Sequence, residues 1–399
     1  MHDLPAAAVT VVVAWVLLEI ACAAALRHLH RRTGIYYLPR RAPRPSARCL
    51  AFVSRLLAEE GRGKVMQYSE TLGWTIRPDI DDDAHGTNAA GARGRRAYDP
   101  AVAPGRIRVT TFGDCLTFGE GCALEDTWQR QLEELDGRFE VMNFGVDGYG
   151  PGQAWLRYLD TLAAVPRQDA VVFALVSTNV FKPLNVFRPF FSYDHGIMMS
   201  KPGFALSGGR LEKLPNPIGH LEGYRRLLDD PVAELRRIGQ VDAYHRASYA
   251  GGRLDVLASV RLPKMLLAEY RKRRAVVDRR GRIRTGSAAL ETTLRILDAA
   301  GEAVRARGAV PLFLLLPLKR EIERFRRSGT RPCGAVAGHL AARGYACLDA
   351  LDAFGRAREP GAEDLFAGRH YSPRANGLIA AALAGALGNL LDGRGVQVG

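Results

Sequence analysis

The chain has 399 residues, 47% hydrophobic and 25% charged, the proportions of a protein that buries a substantial core. Lys and Arg outnumber Asp and Glu by 56 to 42, a formal net charge of +14. No zinc-finger spacing, RNP-like aromatic motif or basic helix followed by heptads accompanies that charge, so nucleic acid is not an expected partner; anionic lipid or an acidic partner suits it better.

Residues 6–26 are almost continuously apolar, about the length that crosses a bilayer as one helix. No small-x-small cleavage site leads into a polar start, so residues 1–32 are expected to be an uncleaved, single-pass membrane anchor. The alternative is a buried amphipathic helix of a soluble protein. Glu19 interrupts the run and is expected to be neutralised or paired. Arg27, Arg31, Arg32, Arg40, Arg41, Arg44 and Arg48 follow the span, which by the positive-inside rule predicts a cytoplasmic body. Cys22, Cys49, Cys115, Cys122, Cys333 and Cys347 contain no C-x-x-C pair and suggest neither a zinc site nor a disulfide framework, so reduced thiols are expected, which agrees with that side.

Residues 33–105 are rich in Pro, Gly and Arg, with an acidic patch at 79–83, and read as a linker and preamble. A domain over 106–392 follows. The β-branched run 106–112, ending at Gly113, predicts a strand. Asp126 is expected to open a helix, with Gln129 in capping-box position and Trp128, Leu132 and Leu135 at helical spacing. Strands are predicted at 139–144 and 170–176, the latter wholly apolar as in a parallel strand covered on both faces, and a helix at 153–162. Residues 192–290 are long, basic and mixed, with helical pieces such as 262–274, and are expected to be an insertion that caps the site. A helix at 288–307 capped by Ser287, strands at 310–316 and 345–348, and a final helix opened by Ser372-Pro373 complete the pattern. Leu378, Ile379, Leu383, Leu387 and Leu390 give that last helix a buried stripe. Strands alternating with helices predict a parallel sheet with helices on both faces.

Polar residues cluster where predicted strands end, the place where such sheets bind ligands. They are Phe112-Gly113-Asp114-Cys115-Leu116-Thr117-Phe118-Gly119, then Asn143-Phe144-Gly145-Val146-Asp147-Gly148-Tyr149-Gly150, then Ser177-Thr178-Asn179, with His370 before the last helix. In order and spacing these resemble the SGNH/GDSL hydrolases, over roughly 105–192 and 290–392. Leu17-Leu18-Glu19, Leu72-Gly73-Trp74, Asn88-Ala89-Ala90-Gly91-Ala92-Arg93-Gly94 and Val186-Phe187-Arg188-Pro189-Phe190 resemble a membrane-anchored branch of that family. The resemblance implies a flavodoxin-like three-layer α/β/α sandwich. It places the nucleophile at Cys115, oxyanion donors at Cys115 N–H, Gly148 and Asn179, and the base at His370.

Two positions depart from the family. Cys115 stands where the nucleophilic serine belongs, and Ala367 stands where the aspartate three residues before the histidine belongs. A thiol is more acidic than a hydroxyl, and a helix N-terminus or an imidazolium lowers its pKa further. A Cys–His dyad resting as thiolate and imidazolium therefore needs no aspartate to hold it, although Asp364, six residues before His370, could orient the ring. The resemblance then implies an acyl-transfer enzyme, an esterase, thioesterase or acyltransferase. It would form an S-acyl intermediate from a small-molecule or carrier-bound acyl substrate and pass it to water, an alcohol or an amine, with no metal or other cofactor. The alternative is a catalytically degenerate relative that binds or assembles at the membrane. Asp114 reads as a hydrogen-bonder at the turn. Cys122 reads as a packed thiol, with a resolving role toward Cys115 as the alternative. His85 and His195 read as loop histidines, Asp349 and Asp352 as turn residues, and Lys182 and Arg188 as solvated charges or contacts for an anionic substrate.

Overall fold

The apolar and β-branched runs become the strands of one parallel sheet. They are β1 (Ile107–Phe112), β2 (Phe139–Asn143), β3 (Ala170–Val176), β4 (Val310–Leu316) and β5 (Ala346–Asp349), in the order β2-β1-β3-β4-β5. This computed structural model describes residues 3–32, 35–37, 43–191, 196–245, 251–356 and 361–392. The strand order is that of doubly wound flavodoxin-like sheets, in which the connections reverse direction between β1 and β3 and open a crevice at their carboxyl ends. Registers Thr111↔Asn143, Phe112↔Phe173 and Leu316↔Val176 bring those ends together.

Helices cover the sheet with the expected faces. Trp128 and Leu132 of helix Trp128–Leu135 and Ile379, Leu383 and Leu387 of helix Pro373–Asp392 are buried with Val109, Val141, Val172 and Leu314 of the strands. Helix Pro373–Asp392 is long and apolar enough to cross a membrane, yet these contacts make it a core helix. Ser287 caps helix Ala288–Arg305 by accepting from Leu290 N at 3.3 Å, as expected. The helix expected to open at Asp126 starts later: Thr127 caps it by accepting from Arg130 N, and Gln129 is inside it. Gln129 is no capping residue because its amide is used elsewhere, on Thr111 Oγ1 (3.1 Å) and the Thr117 carbonyl (2.8 Å).

The chain groups into two compact units. The sheet belongs to the unit of residues 64–183, 204–214 and 276–399. That unit also contains an antiparallel hairpin, Met66–Ser69 with Gly73–Ile76. The other unit joins residues 1–63, 184–203 and 215–275. Its first helix, Asp3–Arg32, contains a stretch, Ala7–Leu29, long and apolar enough to cross a bilayer. Helix Ala47–Ala58 is capped by Ser46 and buries Cys49, Val53 and Leu56. Asp242 ties residues 185–187 into this unit, accepting from Asn185 Nδ2 and Val186 N, each at 2.7 Å. The helical pieces expected near 262–274 form one helix, Ala258–Val276, with Pro263 inside it.

Candidate active site

The chain leaves β1 through Gly113, where a side chain would collide: a Cβ there would lie 2.1 Å from Thr117 Oγ1. Asp114 is extended and caps the one-turn helix Cys115–Phe118, its Oδ1 accepting from Leu116 N at 3.1 Å. Its other oxygen accepts from Asn179 Nδ2 at 2.8 Å, which ties the exits of β1 and β3 together. Asp114 is thus the turn hydrogen-bonder its position suggested. Gly119 closes the turn with φ +81°.

The exit of β2 presses on this turn. A Cβ on Gly145 would lie 2.3 Å from Phe118 N. Asn143 Nδ2 donates to the Thr117 and Phe118 carbonyls at 2.9 and 3.1 Å, and Val146 N donates to Gly113 O at 3.0 Å. Gly148 is buried with φ +79°, a conformation that glycine adopts without strain. Its loop is clamped from three directions. Trp74 Nε1 donates to Asp147 O (2.9 Å), Tyr149 Oη donates to Trp74 O (2.7 Å), and Lys182 Nζ donates to Tyr149 O (2.6 Å). Lys182 is therefore buried in the frame of the site.

Arg93 holds the far side of the turn. Its buried guanidinium donates to the carbonyls of Phe118 and Gly119 (2.5 Å each) and Cys122 (2.6 Å) and lies 4.6 Å above the Phe118 ring. The roles of Trp74 and Arg93 were not readable from the sequence. The strings Leu72-Gly73-Trp74 and Asn88–Gly94 were the only signal, and a side chain that binds distant carbonyls leaves no local pattern.

Three donors remain at the strand exits. Among the described residues, Cys115 N–H and Gly148 N–H donate to no protein acceptor, and the buried Asn179 amide donates only to Asp114. They belong to the three residues that the resemblance singles out, one at each of three adjacent strand exits, with the β2 and β3 exits each tied to that of β1.

His370 lies on a short hairpin, Phe366–Ala367 with His370–Tyr371, whose second strand packs against helix Cys115–Phe118. Tyr371 anchors it by donating to Pro317 O at 2.7 Å beyond β4. Gly121 passes beside the ring, its Cβ position 3.6 Å from His370 Nδ1. No hydrogen bond joins Cys115 Sγ to His370 among the described residues. Burial, with the Asp114 and Asp147 charges, pushes the Cys115 thiol well above its ordinary range, against an opposing pull from Lys182. That direction works against the expected resting thiolate. The physical reason is local. A four-residue helix offers little dipole, and the nearest carboxylates disfavour a second negative charge.

The remaining candidates have structural partners. Asp364 Oδ2 accepts from Gly361 N (3.0 Å) and its carbonyl from Ser372 Oγ (2.7 Å); no hydrogen bond joins it to His370 among the described residues. Cys122 is a free thiol that donates to Gly119 O and accepts from Asn376 Nδ2 at 3.7 Å. His85 stacks on Phe118 with ring centroids 6.3 Å apart. Asp349 and Asp352 both pair with Arg331. Arg188, in the other unit, is buried with its guanidinium 5.5 Å above the Phe191 ring. His195 lies outside the described residues.

No protein-family model matches the chain, and no curated protein matches it. Among solved structures it is similar to a member of the lipolytic protein G-D-S-L family from Veillonella parvula, at 10% identity and TM-score 0.34, over 69% of this chain and 95% of that one. It is also similar to a catalytic mutant of an acetylxylan esterase from Geobacillus stearothermophilus, at 12% identity and TM-score 0.36, over 71% and 94%. A third is an alpha/beta hydrolase enzyme from the metagenome of Lake Arreo, at 13% identity and TM-score 0.35, over 71% and 95%. At these scores the likeness adds nothing to what the sheet order already gives.

Proposed function

We propose that this chain is an acyl-transfer enzyme of SGNH/GDSL type in which Cys115 is the nucleophile and His370 the base. The observation that supports this reading is the set of uncommitted donors, Cys115 N–H, Gly148 N–H and the second Asn179 amide hydrogen, at the exits of β1, β2 and β3. Donors left without protein acceptors beside a nucleophile suit the oxygen that becomes negative in acyl transfer, where one such donor contributes about 2.7–4 kcal/mol.

Because Cys115 rests as a thiol, the proton leaves during attack. His370 accepts it as the sulfur adds to the carbonyl of an ester or thioester, and the three donors hold the oxyanion. Collapse breaks the bond to the leaving group, which takes the proton from His370, and leaves an S-acyl Cys115. Water, an alcohol or an amine then gives a proton to His370 and attacks the thioester, and the thiol is restored.

A second reading, a non-catalytic binding or assembly protein, draws on the missing Cys115–His370 hydrogen bond and on Ala367. Intact-mass measurement after incubation with acyl thioesters and activated esters separates the two. The enzyme reading expects an acyl adduct on the wild type that is lost in Cys115→Ala and slowed at least about a hundredfold in His370→Gln. Wild type and Cys115→Ala behaving alike would establish the binding protein instead.

A further inference from the structure

Glu19, a carboxylate within the apolar helix Asp3–Arg32, has a partner in the same unit. It accepts from Ala258 N at 2.7 Å and Ser259 N at 3.1 Å, and from Ser259 Oγ, and so caps the N-terminus of helix Ala258–Val276. Below this cap Cys22 and Leu26 pack with Ala258, Leu262 and Met265. The two helices are therefore bound together along the last turns of the apolar stretch.

The lengths then matter. Ala7–Leu29 has 23 residues, about 34 Å at ~1.5 Å per residue, just enough for a hydrocarbon core of about 30 Å. Only the part before Glu19, about 18 Å long, is clear of helix Ala258–Val276. To use its full apolar length in lipid, the anchor must carry the start of that helix into the bilayer with it. The surface that would enter is already apolar. Leu254, Val256, Leu266, Leu267 and Tyr270 are each 45–65% exposed, as are Val9 to Ile20 of the anchor over a similar range. Arg271 and Arg273, also exposed, follow these residues, where basic side chains meet anionic headgroups.

We propose that residues 254–270 form a second, lipid-embedded face beside the anchor, entering an anionic bilayer together with the anchor's second half. The anchor is then one half of a two-helix membrane foot, and Glu19 is the clasp between the halves. A carboxylate that caps a helix keeps its hydrogen-bond partners as it enters lipid, which answers the penalty that an unpaired one would meet there.

The test uses the full chain reconstituted in phosphatidylcholine/phosphatidylglycerol vesicles doped with a phospholipid that carries an acyl-chain diazirine, with photo-adducts mapped by peptide mass spectrometry. Acyl adducts on peptides spanning 254–270 as well as 7–20 are expected, with the double variant Leu266→Glu/Tyr270→Glu losing the first set and keeping the second. Adducts confined to 7–29 would overturn the proposal. So would cross-links from 254–270 to another membrane protein in native membranes with no lipid adduct, which would make a protein the occupant of this face.

Discussion

Ala367 faces His370 directly across a two-stranded hairpin, the two residues being register partners. Cross-strand partners place their Cβ atoms about 4.5–5.5 Å apart on one face of the ribbon. Ala367 is exposed and His370 half-buried, so there is room at 367 for a longer side chain.

Ala367→Asp therefore places a carboxylate beside the imidazole without disturbing the core. In a Cys115→Ser background, where the hydroxyl depends on a base held in one tautomer, this second change is expected to raise ester hydrolysis at least about tenfold. Initial rates with a chromogenic acetate ester on Cys115→Ser and on the double variant measure it. Equal rates would mean that 367 does not reach the base.

The guanidinium of Arg93 is the donor for three carbonyls around the Cys115 turn. Arg93→Met leaves Phe118 O with Asn143 Nδ2 and Gly119 O with Cys122, but takes from the Cys122 carbonyl the donor it has, and a loss of about 1–3 kcal/mol is expected in urea unfolding. Arg93→Lys restores only part of that, because one ammonium cannot reproduce the fork. Acyl labelling of Cys115 should fall in the same order.

The raised pKa of Cys115 has a kinetic signature. Alkylation by iodoacetamide depends on thiolate, so the rate at this residue should rise roughly tenfold per pH unit from 7 to 9 with no plateau. Peptide-resolved labelling reads it. A plateau reached below pH 8 would instead show a thiolate already paired with imidazolium.

Cys49 is fully buried, and burial pushes its thiol from 9.0 up to about 12. Its folded-state pKa is above the unfolded value, so its contribution is intact below about pH 9 and is lost as pH rises from there toward 12, by about 1.4 kcal/mol per unit. Chemical denaturation between pH 8 and 11 should show this alkaline decline, and Cys49→Ala should flatten it. Equal slopes in the two proteins would assign the decline to other groups.

β3 and β4 were legible to the residue because each is an unbroken apolar run buried on both faces, and β1 and β2 were legible to within one residue. The hairpin Met66–Ser69/Gly73–Ile76 was not, since two four-residue strands around a glycine show no usable period. The motif residues themselves were legible as strand-end polar groups, and they stand at strand ends. Their electrostatics were not: whether Cys115 is thiol or thiolate depends on Asp147, supplied by a different strand exit, and on how much water reaches the sulfur. The partner of Glu19 was equally hidden, because Ser259 lies 240 positions away in the chain.

Trp74 and Arg93 precede the first strand of the sheet, yet one braces the Gly148 loop and the other the Cys115 turn. The cluster of strand-end residues therefore has an edge that does not coincide with the edge of the sheet. A chain shortened to begin at residue 106 would retain all five strands, Cys115, Gly148, Asn179 and His370 while losing the two side chains that hold the Gly148 loop and the Cys115 turn. It would also expose the Phe118 ring that Arg93 covers. Such a fragment would resemble the intact protein in secondary structure and differ from it where chemistry is asked of it.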